Sequence, residues 1–516
     1  MTDSESSTNR VQSVDRGEQL KGLLTTLLLT AIVLVVGFYL GRWIVSPNWQ
    51  LAIRLAVMGG LVVVTVMNPY DGLLLWMIIA PFGEATWTEV WRILNFRMPP
   101  GIPDLTPDRL AVGALTLLFV AHLGAGRRKL QRPGIEVFMV LFCVMAVPAA
   151  FASRAGLNQA GQLLLDKFIT PFLVFILAKN LYEGRRSLDR LGGTLSVIGI
   201  YISLMIFHEH LTGQPLFVGI GRTTVYTRSL RKIVSLLGNP AFLGTVLGMI
   251  VPVALYLYVR ERSPYRRAFY AGVFGMTALG NFFCYNRGAW LALFGALLVL
   301  LVDRRYRRIL LPLVVLAGLA ALAYWQAISA SAVVAERLSN VSSIRFRLDL
   351  LSVSLKLIRD YPLFGVGLGN FSYYFLDYGG HWETLAFDLP SPHNTYILIL
   401  STMGLASFVP YALILLGLFW KLVRALLRSR REPEVDRALL VSGLAVLAAY
   451  IISAAAVDLY VNVYSSLVLF LITGTVLGYV SRLPPPGVRT PTVRRSASSA
   501  SESNDRPPPR SVKTGA

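Results

Sequence analysis

The sequence predicts an all-α polytopic membrane protein of about 12–14 transmembrane helices with a large extracytoplasmic loop, and three observations carry that prediction. Of 516 residues, 54% are apolar and only 15% charged, with a mean hydropathy of +0.58. A water-soluble domain carries about 25% charged residues, which excludes an ordinary cytosolic enzyme. Apolar runs near the length that a bilayer demands, about 20 residues or fewer where the ends snorkel, recur along the chain. Lys and Arg gather in every second connection between those runs. The net charge of +21, from 49 Lys+Arg against 28 Asp+Glu, would suggest nucleic acid in a soluble protein. In a membrane protein it sets orientation instead, and no nucleic-acid partner is expected.

In chain order, residues 1–21 are a polar tail without the apolar core of a cleavable signal, so the first apolar run is read as a retained span. The candidate spans of the first part are 23–40, 51–67, 73–82, 110–123, 135–151, 163–178 and 191–207. Those that follow are 241–259, 268–285, 289–302, 309–325, 395–420, 438–456 and 459–480. The run over 73–82 is short and ends beside Pro81. Eleven helices thus fall within 22–325, a large loop occupies 326–392, and three more helices fill 393–480. The Pro/Ser/Arg-rich stretch 481–516 has too little apolar surface to offset its ordering entropy and reads as a disordered tail.

Charge placement orients the set. The clusters Arg127/Arg128/Lys129/Arg132, Lys179/Arg185/Arg186/Arg190 and Arg260/Arg262/Arg266/Arg267 alternate with less basic connections. Two later groups, from Arg304 to Arg308 and from Lys421 to Arg437, continue the pattern. All land on one face, predicted cytoplasmic together with both termini. The long connections 83–109, 208–240 and 326–392 then lie outside. Within the last, Ile344, Leu348, Leu351, Leu355 and Ile358 recur at helical spacing among charges, which predicts an amphipathic helix over 343–359 near the outer interface. Cys143 and Cys284 sit in apolar runs and read as small core residues.

Basic and titratable residues of the outer connections are the candidates for chemistry. Arg287 occupies the shortest outward hairpin, Tyr285-Asn286-Arg287-Gly288-Ala289-Trp290. It is either an interfacial arginine snorkelling to headgroups or a guanidinium fork for a diphosphate. Arg345 and Arg347 on the amphipathic stretch, and Arg222, Arg228, Arg231 and Lys232 earlier, are placed to join it in a cationic outer pocket. His393 and Asn394 follow Pro390-Ser391-Pro392 and begin a long helix, so the imidazole sits on a rigid element. A histidine there either removes a proton from a hydroxyl or merely caps the helix. His208, Glu209, His210, His381 and Glu383 lack the spacing of a good metal site, and no metal or other cofactor is expected. The glycine-rich stretch Pro362-Leu363-Phe364-Gly365-Val366-Gly367-Leu368-Gly369-Asn370 follows no buried strand, so it reads as a tight turn rather than a nucleotide loop.

These residues form a recognisable pattern. His393-Asn394, nine residues, then Gly404 resembles the histidine signature of bacterial O-antigen ligases, whose last position is Ser407 here. Asn286-Arg287-Gly288-Ala289-Trp290-Leu291, Gly238-Asn239-Pro240, the stretch from Ile102 to Arg109, and Arg347 fifteen residues before Pro362 extend the likeness over most of residues 100 to 480. The sequence therefore resembles the O-antigen ligase and polymerase superfamily, and through it the GT-C class of lipid-dependent glycosyltransferases. The resemblance implies transfer of a glycan from an undecaprenyl diphosphate donor to an acceptor hydroxyl on the periplasmic side of the bacterial inner membrane, by metal-independent inverting displacement. It further implies that Arg287 and Arg347 hold the diphosphate while His393 serves the acceptor, with Arg345, Arg222 and Asn394 as further substrate-binding positions. Ligases use a lipid A-core acceptor and polymerases a second lipid-linked glycan, and Ser407 leaves that choice open. A lipid or sugar transporter is the rival outside the enzymes, but transporters place ionisable groups near the midplane. Here Arg54, Glu136, Asp166, Lys167 and Asp458 fall near span ends, which favours interfacial chemistry.

Overall fold

The computed structural model describes residues 49–82, 106–216, 226–227, 230–231, 233–324, 342–381, 391–432 and 434–484. The run 23–40 and the tail beyond 484 lie outside these residues. The protein is an all-α polytopic membrane protein. Its helices are α1 (Trp49–Met67), α2 (Pro69–Ile79), α3 (Pro107–Gly124), α4 (Glu136–Phe151), α5 (Leu157–Leu181), α6 (Arg185–Thr212), α7 (Pro240–Arg260) and α8 (Pro264–Phe283). They continue with α9 (Arg287–Leu300), α10 (Arg304–Ala323), α11 (Ser342–Asp360), the single turn α12 (Phe371–Tyr374), α13 (Thr395–Arg428), α14 (Arg437–Ala456) and α15 (Val463–Ser481). A two-residue hairpin, Tyr226–Thr227 with Leu230–Arg231, precedes α7. Every candidate span within the described residues coincides with a helix. Six are long and apolar enough to cross a membrane: α5, α6, α7, α13, α14 and α15.

Local sequence explains the boundaries. Asn68, Thr106, Asn239, Asn286, Asn394 and Asp436 each accept backbone N–H bonds from the turn they precede, satisfying donors that a helix start leaves open. Proline at the first turn of α2, α3, α7 and α8 fits because its missing N–H has no partner to lose there. The run 73–82 was short because α2 ends at Ile79 and tightens into a 3-10 turn over Ala80–Phe82. The last span begins at Val463 rather than 459, since residues 457–462 form a non-helical junction.

In lipid the hydrophobic effect does not drive helices together, so small residues and hydroxyls do. A methyl at Gly474 or Gly478 of α15 would come within 2.7 Å of the carbonyl oxygens of Phe175 and Lys179, which makes the α5–α15 contact a backbone-to-backbone one. Tyr411, Tyr450 and Ser466 join α13, α14 and α15 through hydroxyl contacts of 3.2 and 2.9 Å. α7 is buried along nearly its whole length among α6, α8, α9 and α14. The basic connections gather at one end of the bundle. There Arg190 meets Asp71 at 2.8 Å, Arg260 meets Asp189 at 2.7 Å, Arg437 meets Asp303 at 3.3 Å, and the buried Lys179 pairs with Glu136.

α13 is not the uninterrupted span that its apolar run suggests. Gly404 stands at φ 69°, ψ −176° and breaks it. Carbonyl and amide groups freed inside a membrane cost several kcal/mol each unless they find partners in the protein. The glycine-rich stretch supplies them. Val366 and Gly367 donate to the Ser401 and Thr402 carbonyls at 3.0 Å, while Leu405 and Ala406 donate to Pro362 and Leu363 at 2.9 and 3.0 Å. So that stretch is more than a turn returning over the membrane: it is docked into the broken helix. Gly365 must be glycine there, because its φ is +68° and a methyl would collide with the Thr402–Met403 peptide.

The amphipathic helix α11 carries two apolar faces. Leu350, Val353 and Leu357 are buried against Val366, Phe371 and Phe375 of its own loop. Leu348 and Leu355, two of the positions that define the predicted apolar stripe, remain exposed.

Candidate functional site

At the end of the bundle away from the basic connections, four elements meet: the α8–α9 hairpin, the start of α13, the α14–α15 junction and the start of α11. Arg287 is the first residue of α9. Asn286 caps that helix by accepting the Ala289 N–H at 2.9 Å, and Tyr285 makes the preceding corner at φ 50°. Trp290 fastens the hairpin, stacking on Phe282 at 5.4 Å and donating its indole N–H to the Phe282 carbonyl. The Arg287 side chain is exposed at the positive end of α9, where both the guanidinium and the free amides of the first turn favour an anion. Next to it, a methyl at Gly288 would lie 2.9 Å from Ala456 Cβ, so the first turn of α9 packs against the end of α14.

The start of α13 is stitched to that same end. Asn394 accepts from the Tyr396 and Ile397 N–H groups at 3.0 and 3.1 Å, and its amide donates to the Ala455 carbonyl at 2.9 Å. Thr395 donates to the Val457 carbonyl and accepts from Leu459 N–H, both at 2.9 Å. Gly288, beside Arg287, and Asn394, beside His393, therefore both pack on the last turn of α14.

His393 sits just before the helix at φ 50°, an uncommon conformation for a residue with a side chain. Its backbone N–H donates to Asp458 Oδ2 at 2.8 Å, its Nδ1 stands 4.0 Å from the same oxygen, and its side chain is 31% exposed. The Phe346 ring of α11 lies 5.6 Å from the imidazole. Arg347 follows Phe346 on α11 and is exposed, so the amphipathic helix delivers it to the His393 neighbourhood. Arg345 is on the same turn, with its side chain outside the described set, and Arg222 lies outside the described residues altogether.

Asp458 is the residue that the sequence did not single out for this site. It also accepts from the Ser391 hydroxyl, while its Oδ1 is buried with no hydrogen-bond partner among the described residues. Burial pushes its carboxyl above the usual carboxylate range, and the Ser391 hydroxyl and the nearby His393 pull it back. The junction carrying it is braced by Lys167, which donates to the Val461 carbonyl at 2.8 Å, and beside Lys167 a bidentate Arg109–Asp166 pair at 2.6 and 2.7 Å ties α3 to α5. Asp458 is a positioning residue, since it holds the backbone on which the imidazole rides. Asp458→Ala is expected to lower the turnover of a His393-dependent reaction by about 100-fold with little change in KM, because a 1 Å misplacement of a catalytic group costs about that much. Equal turnover in steady-state assays of the two proteins would remove the assignment.

His208, Glu209 and His210 do not assemble a metal site. Glu209 is fully buried and is consumed by the Val234 and Ser235 N–H groups at 3.1 and 2.8 Å. His210 packs on Phe283 at 4.7 Å, and His381 pairs with Asp349 at 2.9 Å. Among the described residues no group of three or more His, Cys, Asp or Glu side chains is arranged to hold an ion.

Comparison with known proteins places this geometry. No curated protein matches the chain. A family model described as O-antigen ligase matches residues 272–412, a stretch holding Arg287, Arg345, Arg347, His393 and Asn394 and ending before Asp458. Through residues 272–412, just over a quarter of its length, the chain is similar to the O-antigen ligase family.

Proposed function

We propose that the protein is a glycosyltransferase of the bacterial inner membrane that moves a glycan from an undecaprenyl diphosphate donor to a hydroxyl of lipid A-core on the periplasmic side. The observation that supports it best is that Gly288 and Asn394, next to Arg287 and His393, both pack on the last turn of α14, while Phe346, next to Arg347, lies on the His393 imidazole. In this reading the acceptor oxygen attacks the anomeric carbon as the bond to the diphosphate oxygen breaks, inverting the centre. His393 takes the acceptor proton or orients the hydroxyl that loses it. Negative charge grows on the diphosphate, and Arg287 and Arg347 neutralise it in a site where such charge stabilisation is worth far more than in water. Arg345, Arg222 and Asn394 are further substrate-binding positions. Two guanidinium groups supply the role that a divalent cation plays in metal-dependent transferases, so the reaction proceeds without one.

The test is a reconstituted transfer assay with purified protein, a lipid-linked glycan and EDTA. Product that requires lipid A-core and forms at an undiminished rate with EDTA is the expected result. A ladder of longer lipid-linked glycans formed without lipid A-core would instead identify a polymerase joining repeat units. Loss of product on adding EDTA, restored by a divalent cation, would end the metal-independent reading.

A further inference from the structure

The opposite end of the bundle carries a cluster of basic side chains away from His393 and Arg287. The first turn of α6 meets the turn joining α7 to α8 around Arg185, which lines two recesses. The larger encloses about 500 Å³ beside Glu183, Arg185, Arg186 and Arg190. The smaller encloses about 180 Å³ beside Arg185, Asp189, Arg260, Arg262, Arg266 and Tyr270.

The charges there are unequally spent. Glu183 is taken by Arg128, and Arg190 is taken by Asp71. Arg185, Arg186 and Arg262 make no ion pair among the described residues. Arg260 uses Nη2 on Asp189 at 2.7 Å and lies 5.8 Å over the Tyr256 ring, but its buried Nη1 has no hydrogen-bond acceptor among the described residues. Arg266 stands 3.9 Å from Glu261, beyond hydrogen-bond distance. Orientation alone does not require this, since topology-setting arginines are satisfied by water. A buried guanidinium N–H without a partner is costly, and buried donors in folded proteins nearly always have one. On the first turns of α8, Tyr265 and Phe269, each one residue before Arg266 and Tyr270 of the recess, are 87% and 51% exposed. Aromatic residues in that position suit the boundary between headgroups and acyl chains.

We propose that this recess binds the phosphodiester headgroup of an anionic phospholipid, with Arg185, Arg260 and Arg262 on the phosphate and the acyl chains along Tyr265 and Phe269. Basic pockets between transmembrane helices take such headgroups through charge and hydrogen bonds together. The alternative source of the same chemistry is free phosphate.

The experiment uses the full-length protein in detergent, titrated with phosphatidylglycerol or phosphatidylcholine and read by native mass spectrometry, with no glycan present. Wild type is expected to retain phosphatidylglycerol in preference to phosphatidylcholine. Arg185→Ala with Arg262→Ala is expected to weaken that retention by about 10- to 30-fold, given roughly tenfold per 1.4 kcal/mol and about 1 kcal/mol per basic residue near anionic lipid. Asp189→Asn, which releases Arg260 from its carboxylate, is expected to strengthen retention, and it decides the matter if the double variant does not fold. Equal retention of the two lipids, an unaltered double variant, or unchanged or weaker retention in Asp189→Asn would each overturn the proposal. Displacement of phosphatidylglycerol by inorganic phosphate alone would assign the recess to a free anion and overturn it as well.

Discussion

Replacing His393 by alanine is expected to lower glycan transfer by about 10²- to 10⁴-fold, the span that a positioned acid or base contributes. The imidazole is partly exposed, so the loss should fall on turnover rather than on folding. Arg287→Ala is expected to cost about 10²- to 10³-fold, comparable to removing one charge-stabilising donor from a transition state. Arg287→Lys should recover little, because an ammonium keeps the charge but not the two-pronged fork that matches a diphosphate. Rates from the reconstituted assay, alongside size-exclusion profiles that establish folding, check all three. Activity of folded His393→Ala within a fewfold of wild type would leave the imidazole as a helix cap and nothing more.

The second large effect is structural. Gly404→Ala is expected to destabilise the protein by about 3 kcal/mol or more, from a left-handed backbone that an L side chain resists and from overpacking. The new methyl would collide with the Leu363 carbonyl, which is backbone and cannot rotate away. Gly365→Ala meets the Thr402–Met403 peptide in the same way and should behave alike. Thermal unfolding followed by fluorescence size-exclusion should show both variants melting earlier than wild type. If Gly404→Ala melts with wild type, the break in α13 is not the conformation the protein holds.

The spans could be read from the sequence because length, hydropathy and alternating charge are local properties, and each run from 51–67 to 459–480 coincides with a helix. The break at Gly404 was hidden for the opposite reason. Gly404, one of two glycines within the apolar run 395–420, looks like an ordinary tolerated one, and the amides that stabilise the break come from Val366 and Gly367 far upstream. Arg287, Arg347 and His393 were legible through their resemblance to a family motif, but nothing in their spacing says that the neighbours of Arg287 and His393 pack on one helix end. Asp458 showed only as a charge near a span boundary; its hydrogen bond to His393 joins positions 65 residues apart. The stripe on α11 was legible as a helix, but its second apolar face was not: Leu350, Val353 and Leu357 find cover in their own loop while Leu348 and Leu355 of the stripe stay exposed.

The fastening of the chain on both sides of residues 371–390 has a consequence for how this architecture diversifies. Before that segment, Asn370 locks onto α4 and the residues after it, donating to the Ala152 carbonyl and accepting from Arg154 N–H, each at 2.9 Å. After it, Ser391 and His393 are held by Asp458. Among the described residues, the side-chain hydrogen bonds of Asn370 and the bonds that Asp458 makes to Ser391 and His393 all join residues outside 371–390. Between the two anchors Phe371 and Phe375 pack on α11, so exchanges that keep both rings leave the support of the imidazole in place, and partner preference and reaction machinery are then free to evolve at separate rates.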